Sequence, residues 1–106
     1  MKYNTFITCS ISSGVGTYNI NLPFTANYCS IKTQFYYDDG SNGAMVLYLE
    51  GYGAFSMITD GYGFPTDITH VMVQPQSGIL KFTLRDSSNA LVNTSGSLGL
   101  ALEWSD

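Results

Sequence analysis

Residues 79–85 read ILKFTLR and residues 97–104 read SLGLALEW. In the first, Leu80, Phe82 and Leu84 alternate with Lys81, Thr83 and Arg85. In the second, Leu98, Leu100, Leu102 and Trp104 alternate with Ser97, Gly99, Ala101 and Glu103. Successive side chains of a strand point to opposite faces, so an apolar residue at every second position marks a strand with one buried face. A helix would need an apolar stripe at i, i+3, i+4 and i+7, and no window of the chain sustains one. These two rows are expected to form the centre of a core.

The same period extends toward the N-terminus. Between Lys2 and Ser12, Tyr3, Thr5, Ile7, Cys9 and Ile11 share one face, and Ser13-Gly14-Val15-Gly16 breaks the run. Tyr18, Ile20 and Leu22 alternate up to Pro23, which cannot donate to a ladder. From Tyr28 to Tyr37, the alternation sets Cys29, Ile31, Thr33, Phe35 and Tyr37 against Tyr28, Ser30, Lys32, Gln34 and Tyr36. Asp38-Asp39-Gly40-Ser41-Asn42-Gly43 has the composition of a hairpin loop. AMVLYLEGYG (44–53) is apolar on both faces, as in a central strand or one covered by a partner, and its glycines suggest a bulge. Residues 54–59 continue as a strand, and Asp60-Gly61-Tyr62-Gly63-Phe64-Pro65 reads as a turn. A further strand is expected over 69–74, followed by a turn at 75–78. Asp86-Ser87-Ser88-Asn89 turns the chain again, and Leu91 and Val92 start a short strand before the last one.

About eight short strands separated by turn signals point to an all-β, antiparallel two-sheet sandwich of jelly-roll or Greek-key type. The 106 residues form one domain, 1–106. An immunoglobulin-like sandwich is the alternative. Against it, Cys9 and Cys29 are too close in sequence for that fold's inter-sheet bridge, and no Trp lies between them.

Charge narrows the function. Charged residues are only 11% of the chain, the net charge is −4, and the cations are Lys2, Lys32, Lys81 and Arg85. Four scattered cations make no patch for a phosphate backbone or an anionic membrane, so nucleic acid and membrane are not expected partners. No stretch approaches the roughly 20 apolar residues of a membrane span. Asn4, Thr5, Thr8 and Ser10 interrupt the N-terminal region, so no signal peptide is read, and the chain is expected to fold in the cytoplasm where it is made. Cys9 and Cys29 lie in apolar rows and are expected as reduced thiols.

Catalytic chemistry finds little purchase. His70 is the only histidine and sits in a strand, and no GxSxG elbow accompanies it. Asp38, Asp39, Glu50, Asp60 and Asp67 fall mostly in turns, where Asp serves the backbone. Asp38, Asp39, Ser41 and Asn42 offer oxygen atoms but lack the EF-hand spacing. The chain reads as non-enzymatic, with no metal and no cofactor. What stands out is aromatic residues beside and within glycine loops. Tyr36 and Tyr37 precede Asp38, Asp39 and Asn42, and Tyr52, Tyr62 and Phe64 lie in GYG and DGYGF. Such rings give rigid contact area for a sugar or a protein partner, and these eight residues are the candidate binding set. The competing reading is that the rings pack as lids on the core.

YCSIKTQFYYDDGSNGAMVLYLEG (28–51), SGSLGLALEW (95–104) and the neutral Ser/Thr/Asn/Gly-rich strands resemble small β-sandwich proteins of bacteriophage virions, namely capsid decoration proteins and tail-fibre tips. The resemblance lies in composition over the whole chain and carries no site residues with it. It implies a virion structural protein that decorates or cements a capsid or tail. It also implies a homo-oligomer, most often a trimer, made in the host cytoplasm without a signal peptide and bound to other virion proteins. A carbohydrate- or receptor-binding module, with a surface glycan as ligand, is the other reading. An edge-rich chain with few guarding Lys or Pro, and with the two-faced run 44–55, adds its own expectation of self-association.

Overall fold

The structure is a computed structural model that describes residues 1–38, 43–51, 53–58, 65–71 and 77–106. Of residues 38, 65–71 and 77 it describes the backbone alone. The described residues form eight strands and no helix. The strands are β1 (Lys2–Ile11), β2 (Val15–Asn21), β3 (Tyr28–Asp38), β4 (Met45–Leu49), β5 (Gly53–Ile58), β6 (Pro65–Val71), β7 (Ser77–Arg85) and β8 (Gly96–Ser105). They make two four-stranded sheets, in the orders β1-β8-β3-β6 and β2-β7-β4-β5. Every pairing within them is antiparallel.

The pairings nest. β1 lies on β8, β2 on β7, β3 on β6 and β4 on β5, while β8–β3 and β7–β4 contacts join the pairs into sheets. Only β4 and β5 are consecutive strands paired in one sheet, so every other connection passes from one sheet to the other. This corrects the hairpin reading of 38–43. That segment leads from β3 in one sheet to β4 in the other. Asp, Asn and Gly report that the chain turns, and they carry no information about which sheet receives the next strand.

One hydrophobic cluster draws on both sheets. Leu80, Phe82, Leu84, Leu98, Leu100 and Leu102 are all buried, as the alternating rows require. Trp104 is buried beside them, and its indole N–H donates to Thr5 Oγ1 at 2.8 Å. On β4, Met45, Leu47 and Leu49 are buried, and Val46 and Tyr48 are half-buried. β4 is thus central in its sheet, and the Arg85 guanidinium covers the outer ring of Tyr48 at 4.4 Å from its centroid. Arg85 is held there by Glu50 at 2.7 Å.

Two bulges shift the expected faces. On β3, Ile31 pairs with Leu102 but Thr33 pairs with Ala101, leaving Lys32 as an extra residue. One inserted residue reverses the side of everything after it. Gln34 and Tyr36 therefore turn into the core, while Thr33 and Tyr37 face solvent, opposite to strict alternation. The buried Gln34 is accommodated by polar partners on β5 of the other sheet. Its amide N–H donates to the Met57 carbonyl, and its Oε1 accepts from the Ser56 hydroxyl. The second bulge lies on β5, where Leu47 pairs with Ser56 and Tyr48 with Ala54. Its position differs from the glycines expected to mark it. Gly51 and Gly53 instead adopt positive φ at the β4–β5 turn.

Two boundaries also differ. β6 starts at Pro65, which had been read as part of a turn. An initial position on an edge strand suits a residue without an N–H. Leu91 makes an isolated bridge to Arg85 in place of the short strand expected there.

The cysteines are not bonded to one another. Cys9 pairs across from Leu98 and Cys29 from Trp104, six residues apart along β8. That offset is about 20 Å of strand, far beyond the reach of a disulfide. Burial pushes the Cys29 thiol up to about 12 from its ordinary 9.0 and raises Cys9 as well. Native protein is expected to leave Cys29 unmodified by Ellman's reagent at pH 8 and to yield both thiols in denaturant. Because the folded thiol binds its proton more tightly, stability is expected to be intact below about pH 9 and to fall as pH rises from there toward 12. Rapid native labelling of Cys29 would contradict this placement.

Candidate functional site

The residues named from the sequence divide sharply. Tyr36 is fully buried, and its hydroxyl shares a 2.7 Å hydrogen bond with Thr94 Oγ1. It lies in the core and not at the surface, because the bulge at Lys32 turned it inward. Thr94 in turn accepts at its carbonyl from the Gly14 N–H at 2.7 Å, so Tyr36 anchors the connection between β7 and β8. Tyr37 faces solvent and is 48% exposed. Asp38 ends β3 opposite Gly96, with its side chain outside the described set. Asp39, Asn42, Tyr52, Tyr62 and Phe64 lie outside the described residues. The side chain of His70 does too, although its backbone pairs with Cys29 at the sheet edge.

Around Tyr37 the outer face of the first sheet carries a row of rings. Phe6 on β1 is 58% exposed, and its centroid lies 6.2 Å from that of Phe35 on β3. Phe35 is half-buried and lies 5.6 Å from Tyr37. Interplanar angles of 32° and 50° make the row twist along its length. β8 runs between β1 and β3, so a gap of one strand separates Phe6 from Phe35. Gly99 fills that gap. It pairs with Thr8 on one side and Phe35 on the other, and a Cβ there would lie 2.1 Å from Phe35 Cζ. The tip of the Phe35 ring therefore rests on the glycine backbone and leans across β8 toward Phe6. An aromatic ring laid over a strand glycine shields backbone that the missing side chain would otherwise leave bare.

The flanks of the row carry few charges. Its neighbours on the same face are Asn4 and Thr8 on β1, Ala101 and Ser97 on β8, and Thr33 on β3. Thr8, Thr33 and Ser97 are exposed hydroxyl residues. Glu103 lies across from Asn4 and pairs with Lys2 at 3.6 Å, one step farther toward the end of the sheet. Lys32, exposed at the bulge, is the cation nearest in sequence.

Sequence reasoning missed Phe6 and Phe35. Phe6 is the lone aromatic in the polar row Lys2, Asn4, Phe6, Thr8, Ser10, and that anomaly was legible. Phe35 was not, since its outward direction depends on the bulge. Among the described residues no pocket opens, and no cluster of metal-ligating side chains forms. The row lies on an open face. No model of a known protein family matches the chain, and no curated protein matches it.

Proposed function

We propose that the chain is a non-enzymatic structural protein of a virion, decorating or cementing a capsid or tail through neutral, aromatic-rich surface. The observation that carries the reading is the row of exposed Phe6, half-buried Phe35 and exposed Tyr37 on a sheet face with few charges. Large rings left facing water cost free energy unless contact repays it, and such patches mark interaction sites.

We infer that the two sheets face each other as a jelly-roll sandwich. The orders β1-β8-β3-β6 and β2-β7-β4-β5 support this, because a long antiparallel hairpin rolled over on itself distributes its strands in that way. Jelly rolls serve as viral capsid domains and as lectins, which suits both the structural reading and a glycan-binding one. The fold alone decides between neither.

On this reading the chain is made in the host cytoplasm, associates with itself as a trimer and joins other virion proteins. The opposite sheet adds apolar surface of its own, with Met57 60% and Ile79 70% exposed. Two measurements test the proposal. Sedimentation equilibrium at micromolar protein is expected to give three times the 11.6 kDa chain mass. An antibody to the chain is expected to detect it in particles banded from lysates of cells that carry its gene. A monomer absent from every particle band would sink the proposal.

A further inference from the structure

We infer that the outer face of β1, β8 and β3 is a stacking site for an extended, uncharged oligosaccharide, with Phe6, Phe35 and Tyr37 each taking a sugar ring. The inference deepens the reading of this face as a contact surface and commits it to one occupant.

The chemistry of the row selects that occupant. The face of an aromatic ring is electron-rich, and the C–H-bearing face of a pyranose lies well against it. Centroid spacings of 6.2 and 5.6 Å are comparable to the length of one sugar residue, so successive rings meet successive sugars. Exposed hydroxyls of Thr8, Thr33 and Ser97 border the rings, where they can donate to and accept from sugar hydroxyls. An anionic ligand would want a cluster of cations, and this face offers Lys32 at its bulge and Lys2, which is paired with Glu103 at 3.6 Å. The seat of Phe35 on Gly99 fixes the middle ring before binding, so little rotamer entropy is lost on contact.

The test uses the whole chain and soluble hexaoses of glucose, in α and β linkage, and of N-acetylglucosamine. Aromatic proton shifts in NMR titrations report the contact, and calorimetry gives the affinity. Binding of at least one hexaose is expected, with the resonances of Phe6, Phe35 and Tyr37 moving together. Phe35→Ala and Phe6→Ala should each weaken it by about tenfold or more, whereas Tyr37→Phe, which keeps the ring, should change it by less than about threefold. Raising the salt from about 50 to 500 mM should leave the affinity unchanged, because an uncharged ligand releases no counterions. All three side chains lie on the outer face, and an unchanged melting temperature confirms that each variant folds.

No shift with any hexaose at millimolar concentration overturns the inference, as does binding that survives Phe35→Ala. Salt-sensitive binding of an anionic glycan alone overturns the uncharged assignment. If Phe6→Ala and Phe35→Ala abolish trimer formation and leave no sugar binding, the occupant is a second copy of the chain. That result would defeat this inference and leave the structural role standing.

Discussion

Phe82→Ala is expected to cost about 3–5 kcal/mol of folding stability, the usual range for a fully buried phenylalanine. Phe82 is fully buried at the centre of β7, between Gly16 of β2 and Leu49 of β4. Its ring lies 6.4 Å from that of Phe55. The size of the cost depends on whether neighbours can close the void. Gly16 cannot move in readily, because a Cβ built on it already meets the Ser10 carbonyl at 2.8 Å and Ile11 Cδ1 at 2.6 Å. Its backbone is pressed against β1, and the cavity stays open. A domain of this size is stable by about 5–15 kcal/mol, so the substitution removes a large share. Urea unfolding should show a lower midpoint with an unchanged slope. Ile79→Ala on the same strand, at a side chain 70% exposed, should stay within about 0.5 kcal/mol. A loss under about 1 kcal/mol for Phe82→Ala would place that row outside the core.

Gly14→Ala should be comparably damaging, at roughly 3–4 kcal/mol, for a reason of backbone and not of burial. Gly14 has φ +83°, where a Cβ collides with its own backbone. The added carbon would also lie 2.2 Å from the Val92 carbonyl oxygen. Neither side can yield. The Gly14 N–H donates to the Thr94 carbonyl at 2.7 Å, and its carbonyl accepts from the Leu84 N–H at 3.0 Å. The Val92 N–H donates to the Leu84 carbonyl at 2.8 Å. Three segments are thus tied at one glycine: the β1–β2 turn, β7, and the connection from β7 to β8. The melting temperature should fall by more than about 10 °C. Gly51→Ala separates the two causes. Gly51 also has positive φ, at +89°, but nothing lies within 4 Å of a Cβ there. It should therefore show the conformational cost alone, about 1–2 kcal/mol. Equal losses at the two glycines would rule out the contact with Val92.

These residues also show how far the sequence could be read. β7 and β8 were legible because each keeps one face in the core from end to end, so a strict alternation survives in the letters. β3 was not, because Lys32 is one residue too many and nothing in its chemistry says so. The cost fell on the candidate site. Tyr36 was named for the surface and lies inside, while Phe35 was counted with the core row and lies on the outer face. Gly99 was visible as an outward glycine. Its purpose appears only when β1 and β3 flank β8 and bring Phe6 and Phe35 to either side of it. Turn chemistry located most chain reversals and could not tell a hairpin from a crossing between sheets. Those facts belong to pairings between distant residues, which local propensity does not encode.

The nested pairing sets the entropy of assembly. The bond between Gln34 and Ser56 spans 22 residues, that between Tyr36 and Thr94 spans 58, and that between Trp104 and Thr5 spans 99. The strand pairs enclose one another in turn, β4–β5 within β3–β6, β3–β6 within β2–β7 and β2–β7 within β1–β8. Closing the widest loop from an open chain would carry its whole configurational cost in one step. Closed from the inside outward, each new pair spans only the slack of the connections just beyond the pair already formed. Closed in that order, the nested strand pairs divide one large entropic barrier into several small ones. Such an order would run from β4–β5 at the centre of the nest to β1–β8 at its outside. β1 comes last in that sequence and has a neighbour on one side only. Phe6 rides on it, so the aromatic row is complete only when the outermost pair of the nest has closed.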